Sequence, residues 1–279
     1  ALRDYVIKSE FSQVILGLSG GVDSALVAAI ACDAIGPQNV LGVRLPSSIS
    51  SQSSLDDASE LVSMLGCRVE TIPIISCQSA VSDTLGDIFS GFSNDITEEN
   101  IQSRIRGLLL MALSNKFGSM LLTTGNKSEV AVGYSTIYGD MAGGYNPIKD
   151  LYKTRVFKTC EWRNYNFESW MLGARGLVIP VPIIEKPPSA ELSLGQRDDD
   201  TLPPYDILDP ILENLIENDM SINEIVQKGF DTKTVQKIES LVYGSEYKRF
   251  QSAPGPHLTE KSFWLSRRYP LIQKWRDPS

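Results

Sequence analysis

The residues best placed to do chemistry come early: Ser19-Gly20-Gly21-Val22-Asp23-Ser24. They follow a short apolar run, Val14 to Leu18 (VILGL), and precede a nearly all-apolar, helix-forming run from Ala25 to Ile35. Two adjacent glycines let a backbone turn sharply and approach a ligand with no Cβ in the way. A helix that starts just after such a turn aims its unpaired N–H groups, and the positive end of its dipole, at the same space. With the hydroxyls of Ser19 and Ser24 added, this is a cradle for phosphate. Asp23 does not suit a bare anion site, because a carboxylate repels phosphate. A divalent cation bridging the two removes the conflict, and Mg²⁺ commonly joins one or two carboxylates to substrate phosphates. The loop has neither the Gly-Lys-Ser/Thr of a Walker A motif nor the GxGxxG spacing of a dinucleotide fold. A plainer reading is a Gly-rich turn whose Asp and Ser cap the helix. Six specific residues between a strand and a buried helix weigh against it.

Positioning such a loop requires a strand before it and a helix after it, and the pattern recurs down the chain. Val40 to Leu45 reads as a second strand, Ser54 to Leu65 as an amphipathic helix, and Cys67 to Ile75 as a third strand. Glu98 to Phe117 reads as a long helix, with Met111 and Phe117 assigned to the core, and Ser119 to Thr124 as a fourth strand. Strands alternating with helices predict an α/β fold: a Rossmann-like parallel sheet with helices on both faces. Residues 165–184 carry no clear pattern. Residues 185–204, rich in Pro, Ser and Asp, read as a long flexible loop, and loops of that length are usually functional or disordered. Three helices follow, over 205–218, 221–228 (opened by the capping box Ser221 to Glu224) and from Asp231 to about Tyr243. The expected organisation is one domain: an α/β core over 1–184 that carries the phosphate loop, the flexible loop over 185–204, and a helical part over 205–279.

Composition narrows the partners. The 279 residues carry a net charge of −8, which disfavours nucleic acid; a nucleotide must be held by a local basic pocket. Four scattered cysteines and a single histidine make a zinc site improbable. No run of about 18 apolar residues predicts a membrane span. The N-terminal residues lack a signal-peptide pattern, and the expectation is a reduced, soluble, cytoplasmic protein.

The loop SGGVDS resembles the signature of the ATP pyrophosphatases, which cleave ATP between the α and β phosphates. Further strings narrow the resemblance: LTTGNKSEVAVGYSTIYGD (122–140), PPSAEL (187–192), LPPYD (202–206) and EYKRFQSAPG (246–255). Together they are similar to the synthetase domain of glutamine-dependent NAD synthetases, over nearly the whole chain, to about Tyr269. The resemblance implies a homodimer with the dinucleotide near the interface, ATP as co-substrate and Mg²⁺ as cofactor. It also implies two steps: ATP adenylates the nicotinate carboxylate of deamido-NAD, and ammonia then displaces AMP. One departure stands out. Family members carry an N-terminal nitrilase-like amidase domain that releases ammonia, and Ala1 lies just before the synthetase domain. The expectation is that free ammonia serves, that a separate glutaminase supplies it, or that the sequence is a fragment.

Carried over position by position, the resemblance implies that Gly17, Leu18, Ser19, Gly20, Gly21, Val22, Asp23 and Ser24 bind ATP, with Arg44, Thr124, Lys153 and Ser189. It gives Asp23 and Glu129 as metal ligands, Asp23 and Lys153 as the catalytic pair, and Asn100, Glu129, Tyr134 and Lys248 as deamido-NAD contacts. Arg44 also carries an argument from its own position, since an Arg in an apolar strand is costly without a partner. Arg104 and Arg106, two residues apart on one helix, cannot share a face and stand as phosphate or interface residues. Ser189 sits in the loop that would close over ATP. Two rivals remain. One is another ATP pyrophosphatase, acting on tRNA or as an amidotransferase synthetase; a tRNA enzyme should be basic. The other is a non-catalytic nucleotide sensor, which would not need Asp23, Glu129 and Lys153 together.

Overall fold

A computed structural model of the chain describes residues 1–189, 192, 193, 195, 198 and 201–277. Four parallel strands, β1 (Val14–Gly17), β2 (Val40–Arg44), β3 (Arg68–Thr71) and β4 (Met120–Leu122), form a sheet in the order β3-β2-β1-β4. Successive side chains on a strand point to opposite faces, and β1 shows the consequence. Val14 and Leu16 enter a core built with helices α1 (Leu2–Lys8), α2 (Val22–Ile35), α3 (Gln52–Leu65) and α7 (Lys153–Tyr165). Ile15, between them, joins Leu41, Val43 and Leu121 in a separate core under α5 (Ile96–Phe117). The expected α/β architecture, a parallel sheet covered on both faces, is what the chain adopts.

The order matters for function. From β1 the chain crosses to β2 on one side, while β4 flanks β1 on the other. The crevice beyond the carboxyl ends of β1 and β4 is the topological switch point, where open α/β sheets bind ligands. The loop after β1 is the SGGVDS segment, and the loop after β4 leads to α6 (Lys127–Val132).

Several boundaries differ from expectation. β3 stops at Thr71 and the chain turns into α4 (Ile75–Leu85), which the sequence reading takes partly as strand. As an edge strand β3 is largely exposed, so no apolar alternation marks its end. Met111 and Phe117 are corrected: neither is core, and Phe117 is 53% exposed. α5 is apolar on more than one side. Ile105, Leu109 and Leu113 pack under the sheet, while Leu108, Met111 and Phe117 face outward.

The C-terminal helices α9 (Tyr205–Ile216), α10 (Ile222–Gln227) and α11 (Thr232–Gly244) form a further core with α6, around Leu208, Ile211, Ile225 and Ile238. The capping box of α10, Ser221 with Glu224, is present, and Asp231 caps α11. Much of the expected loop over 185–204 falls on residues outside those described. No described helix is long and apolar enough to cross a membrane.

Candidate active site

The phosphate-type loop is tied by its own hydroxyls. Ser19 Oγ accepts the N–H of Gly21 at 3.1 Å, and Ser24 Oγ donates to the Gly21 carbonyl at 3.0 Å. Gly20 has φ +81°, and a Cβ there would lie 2.4 Å from the Ser54 carbonyl oxygen. That position therefore demands glycine twice over, by backbone conformation and by space. Helix α2 begins at Val22, so its first-turn N–H groups, which have no acceptor within the helix, start where the loop ends.

Asp23 meets two residues from distant segments. Its Oδ1 accepts from Asn126 Nδ2 at 2.9 Å, and its Oδ2 lies 2.5 Å from Lys153 Nζ. Asn126 is the N-cap of α6, in a capping box with Glu129. Glu129 Oε1 in turn lies 3.5 Å from Lys153 Nζ. One ammonium thus bridges two carboxylates. Burial, and then Asp23, push the Glu129 carboxyl up to about 8 against the pull of Lys153. Burial alone would lower the Lys153 ammonium, but Asp23 and Glu129 more than offset it and hold it above its ordinary value. Asp198 borders the same space, hydrogen-bonded by the Tyr205 hydroxyl at 2.8 Å, and burial raises its carboxyl too.

Asp23, Glu129, Lys153 and Asp198 line a cavity of about 430 Å³ at the switch point. Gly17, Leu18, Ser19, Ser24, Thr124 and Ser189 line it as well. Asn100, Tyr134 and Lys248 also contribute to its wall. Asn100 Oδ1 accepts from the Thr136 hydroxyl at 2.9 Å, and Lys248 Nζ donates to the Gly133 and Ser135 carbonyls at 2.7 Å each. Both side chains therefore grip the turn that carries Tyr134. Gly107 lets α5 reach this wall, since a Cβ there would lie 2.8 Å from the Gly139 carbonyl oxygen.

Arg44 is placed differently. Its guanidinium donates to the Thr71 hydroxyl at 3.0 Å, to the Leu55 carbonyl at 3.4 Å and to Ser59, and it is not among the residues lining the cavity. Neutral acceptors satisfy it, so its place at the end of β2 needs no anion. Gly20, Gly21 and Val22 shape the loop without lining the cavity. The two arginines of α5 part as their spacing predicts: Arg104 donates to the Ile137 carbonyl, and Arg106 to the Leu45 carbonyl at the cavity wall. Sequence reasoning missed Asn126 and Asp198. The only signals were the Asn that follows the Gly in GNKSE and an acidic run in a Pro-rich loop.

Asp23 and Glu129 are the carboxyl groups here that could hold a divalent cation. Among the described residues no group of three His, Cys, Asp or Glu side chains gathers to hold a metal by itself. The residues present fit Mg²⁺ of the kind that arrives with phosphates: two carboxyl groups converge on one spot, and a cation's charge would favour the ionised form of Glu129 that burial and Asp23 disfavour.

Known proteins share the sequence and the fold of this chain. A glutamine-dependent NAD(+) synthetase of Rhodobacter capsulatus is 63% identical over 278 residues, covering 100% of this chain and 50% of the relative. The solved glutamine-dependent NAD+ synthetase of Acinetobacter baumannii, in complex with ADP, is 45% identical, with TM-score 0.63 over 99% of this chain and 49% of that one. The NH3-dependent NAD synthetase of Campylobacter jejuni is 28% identical, with TM-score 0.69 over 88% and 91%. The chain spans about half the length of the curated relatives it matches. The NAD synthase family model matches residues 1–252, and the chain belongs to the NAD synthase family.

Proposed function

We propose that this chain catalyses the ATP-dependent amidation of deamido-NAD to NAD, releasing AMP and pyrophosphate, with ammonia as the nucleophile. The observation that carries the reading is Lys153, held between Asp23 and Glu129 beside a hydroxyl-tied Gly-rich loop at the sheet's switch point. A carboxylate is a poor electrophile, and adenylation makes it a good one. The nicotinate oxygen attacks the α-phosphorus of ATP, and the bond to the bridging oxygen breaks with pyrophosphate leaving. The nitrogen lone pair of ammonia then attacks the acyl carbon, AMP departs with the adenylated oxygen, and the nitrogen loses a proton.

The loop and the start of α2 bind the phosphates through N–H and hydroxyl donors. Lys153 offsets charge on the departing pyrophosphate. Mg²⁺, held by Asp23 and Glu129, would add further charge neutralisation there. The wall formed by Asn100, Tyr134 and Lys248 orients the dinucleotide, and catalysis otherwise rests on holding the reacting atoms close. Thr124 and Ser189 add ATP contacts. The same reading puts the enzyme in the cytoplasm, in keeping with four free cysteines.

The test is an assay of the purified chain with ATP, Mg²⁺, deamido-NAD and either ammonium or glutamine. NAD is expected with ammonium, and little with glutamine alone. Robust glutamine-dependent NAD formation by this chain by itself would overturn the choice of nucleophile.

A homodimer completes the proposal. Leu108, 69% exposed, and Met111, 36% exposed, are neighbours three residues apart on α5 and offer an apolar surface for a second copy. Light scattering at micromolar concentration is expected to report a dimer. A fully active monomer would contradict it.

A further inference from the structure

Lys153 is the first residue of α7, and the residue before it, Tyr152, makes no capping bond to the helix. The cap comes from another part of the chain. Asp209, on α9, accepts the N–H of Thr154 at 2.8 Å and the Thr154 hydroxyl at 2.7 Å through one oxygen. Its other oxygen accepts the Ser128 hydroxyl at 2.5 Å. The Ser128 oxygen in turn accepts the N–H of Lys153 at 2.9 Å. Ser128 immediately precedes Glu129 on α6. One carboxylate is thus tied to the first turns of both helices that bring Lys153 and Glu129 together.

Most of the arrangement is buried: Ser128 is 0% exposed, Lys153 3% and Asp209 4%, while Thr154 is half-buried. A carboxylate placed at a helix start satisfies N–H groups that have no partner within the helix. Here it does so for α7 while holding α6 by a side-chain bond. Three donors converge on Asp209, a set that a carboxylate can accept in full. An amide of the same shape cannot, because its NH₂ would face a donor.

We propose that Asp209 is a positioning residue of the reaction, capping α7 from α9 and holding Ser128 so that Lys153 Nζ stays between Asp23 and Glu129. It touches no substrate and acts through Lys153. The proposal rests on the amidation reading of this site. Its expected size follows from precision: groups that orient catalytic or metal-binding side chains typically matter by about 10–100-fold, and a misplacement of about 1 Å can cost on the order of a hundredfold.

The experiment is a double-mutant cycle on the full chain, with Asp209→Asn, Lys153→Met and the double variant. Two quantities are read: kcat for NAD formation with ammonium, and the Kd of ATP with Mg²⁺ by calorimetry. Asp209→Asn is expected to lower kcat by about 10–100-fold and to weaken ATP binding. In the Lys153→Met background the same substitution should change neither by more than about twofold, because the residue it positions is gone. A loss of equal factor in both backgrounds would show a purely structural role and overturn the proposal. Should Asp209→Asn not fold, Ser128→Ala replaces it in the same cycle, with the same two outcomes. The two claims separate cleanly. If the wild-type chain forms no NAD but the ATP-binding cycle is coupled, the function reading fails and the positioning role stands. NAD formation with uncoupled effects gives the reverse.

Discussion

Asp23→Asn is expected to reduce NAD formation by on the order of a hundredfold or more while leaving the fold intact. The asymmetry comes from the charges around Lys153. Two carboxylates, Asp23 at 2.5 Å and Glu129 at 3.5 Å, share that one ammonium. Asp23 is one cause of the raised Glu129 carboxyl, so removing its charge relieves a repulsion and leaves Lys153 paired one-to-one with Glu129. The Asn side chain keeps an oxygen to accept from Asn126. Its NH₂ then faces the Lys153 ammonium, so the stability change should be that of one unsatisfied buried group, about 1–3 kcal/mol. In the proposed reaction, the lost charge is one that would help to hold Mg²⁺ beside the phosphates. The measurement is NAD formation across a Mg²⁺ titration, with the thermal midpoint of the same variant. Wild-type turnover at limiting Mg²⁺ would reduce Asp23 to a helix-start carboxylate.

Lys127→Met should do the reverse, with its largest effect on stability. Lys127 is fully buried. Its Nζ lies 2.8 Å from Asp150 Oδ1 and 2.5 Å from Glu217 Oε1, and donates to the Thr259 hydroxyl and the Lys261 carbonyl. The Tyr152 ring centroid lies 4.9 Å away. These contacts join α6 to the end of α9 and to the 259–263 segment. Methionine fills similar volume but leaves Asp150 and Glu217, both buried, without their counter-charge. Breaking a buried pair in this way costs about 3–5 kcal/mol. Denaturant unfolding of the two proteins measures it. A variant as stable as the wild type would mean that the two carboxylates find protons or water at little cost.

The parts of the site that could be read from the sequence are those built within one stretch of chain. Val14 to Ser24 announces a strand, a sharp turn and a buried helix because apolar period, glycine and helix start all occur side by side. Lys153 has no such local signal and is reached only through the family resemblance, while Glu129 has in addition its place just beyond the carboxyl end of the fourth strand. α7 was not assigned, since its sequence KTRVFKTCEWRNY is polar and Tyr152 gives no capping cue. Its cap, Asp209, lies 55 residues from the Thr154 that it holds. Asn126 and Asp23 are likewise 103 residues apart. At Arg44 the guanidinium in an apolar strand does have partners, but they are hydroxyls and a carbonyl, and periodicity cannot reveal a neutral acceptor across a fold. On α5 the apolar residues run round the helix, so pattern alone could not separate the face under the sheet from the face left outward.

Exchange of labelled pyrophosphate into ATP, measured with Mg²⁺ and with all ammonia removed, tests the adenylation step at the centre of this account. The carboxylate attack is reversible until ammonia consumes the adenylate, so exchange must require deamido-NAD and no nitrogen source. The account predicts label in ATP only when deamido-NAD is present, and the loss of that exchange in Asp23→Asn. Label entering ATP equally well without deamido-NAD, or NAD forming with ADP and phosphate in place of AMP and pyrophosphate, would contradict it.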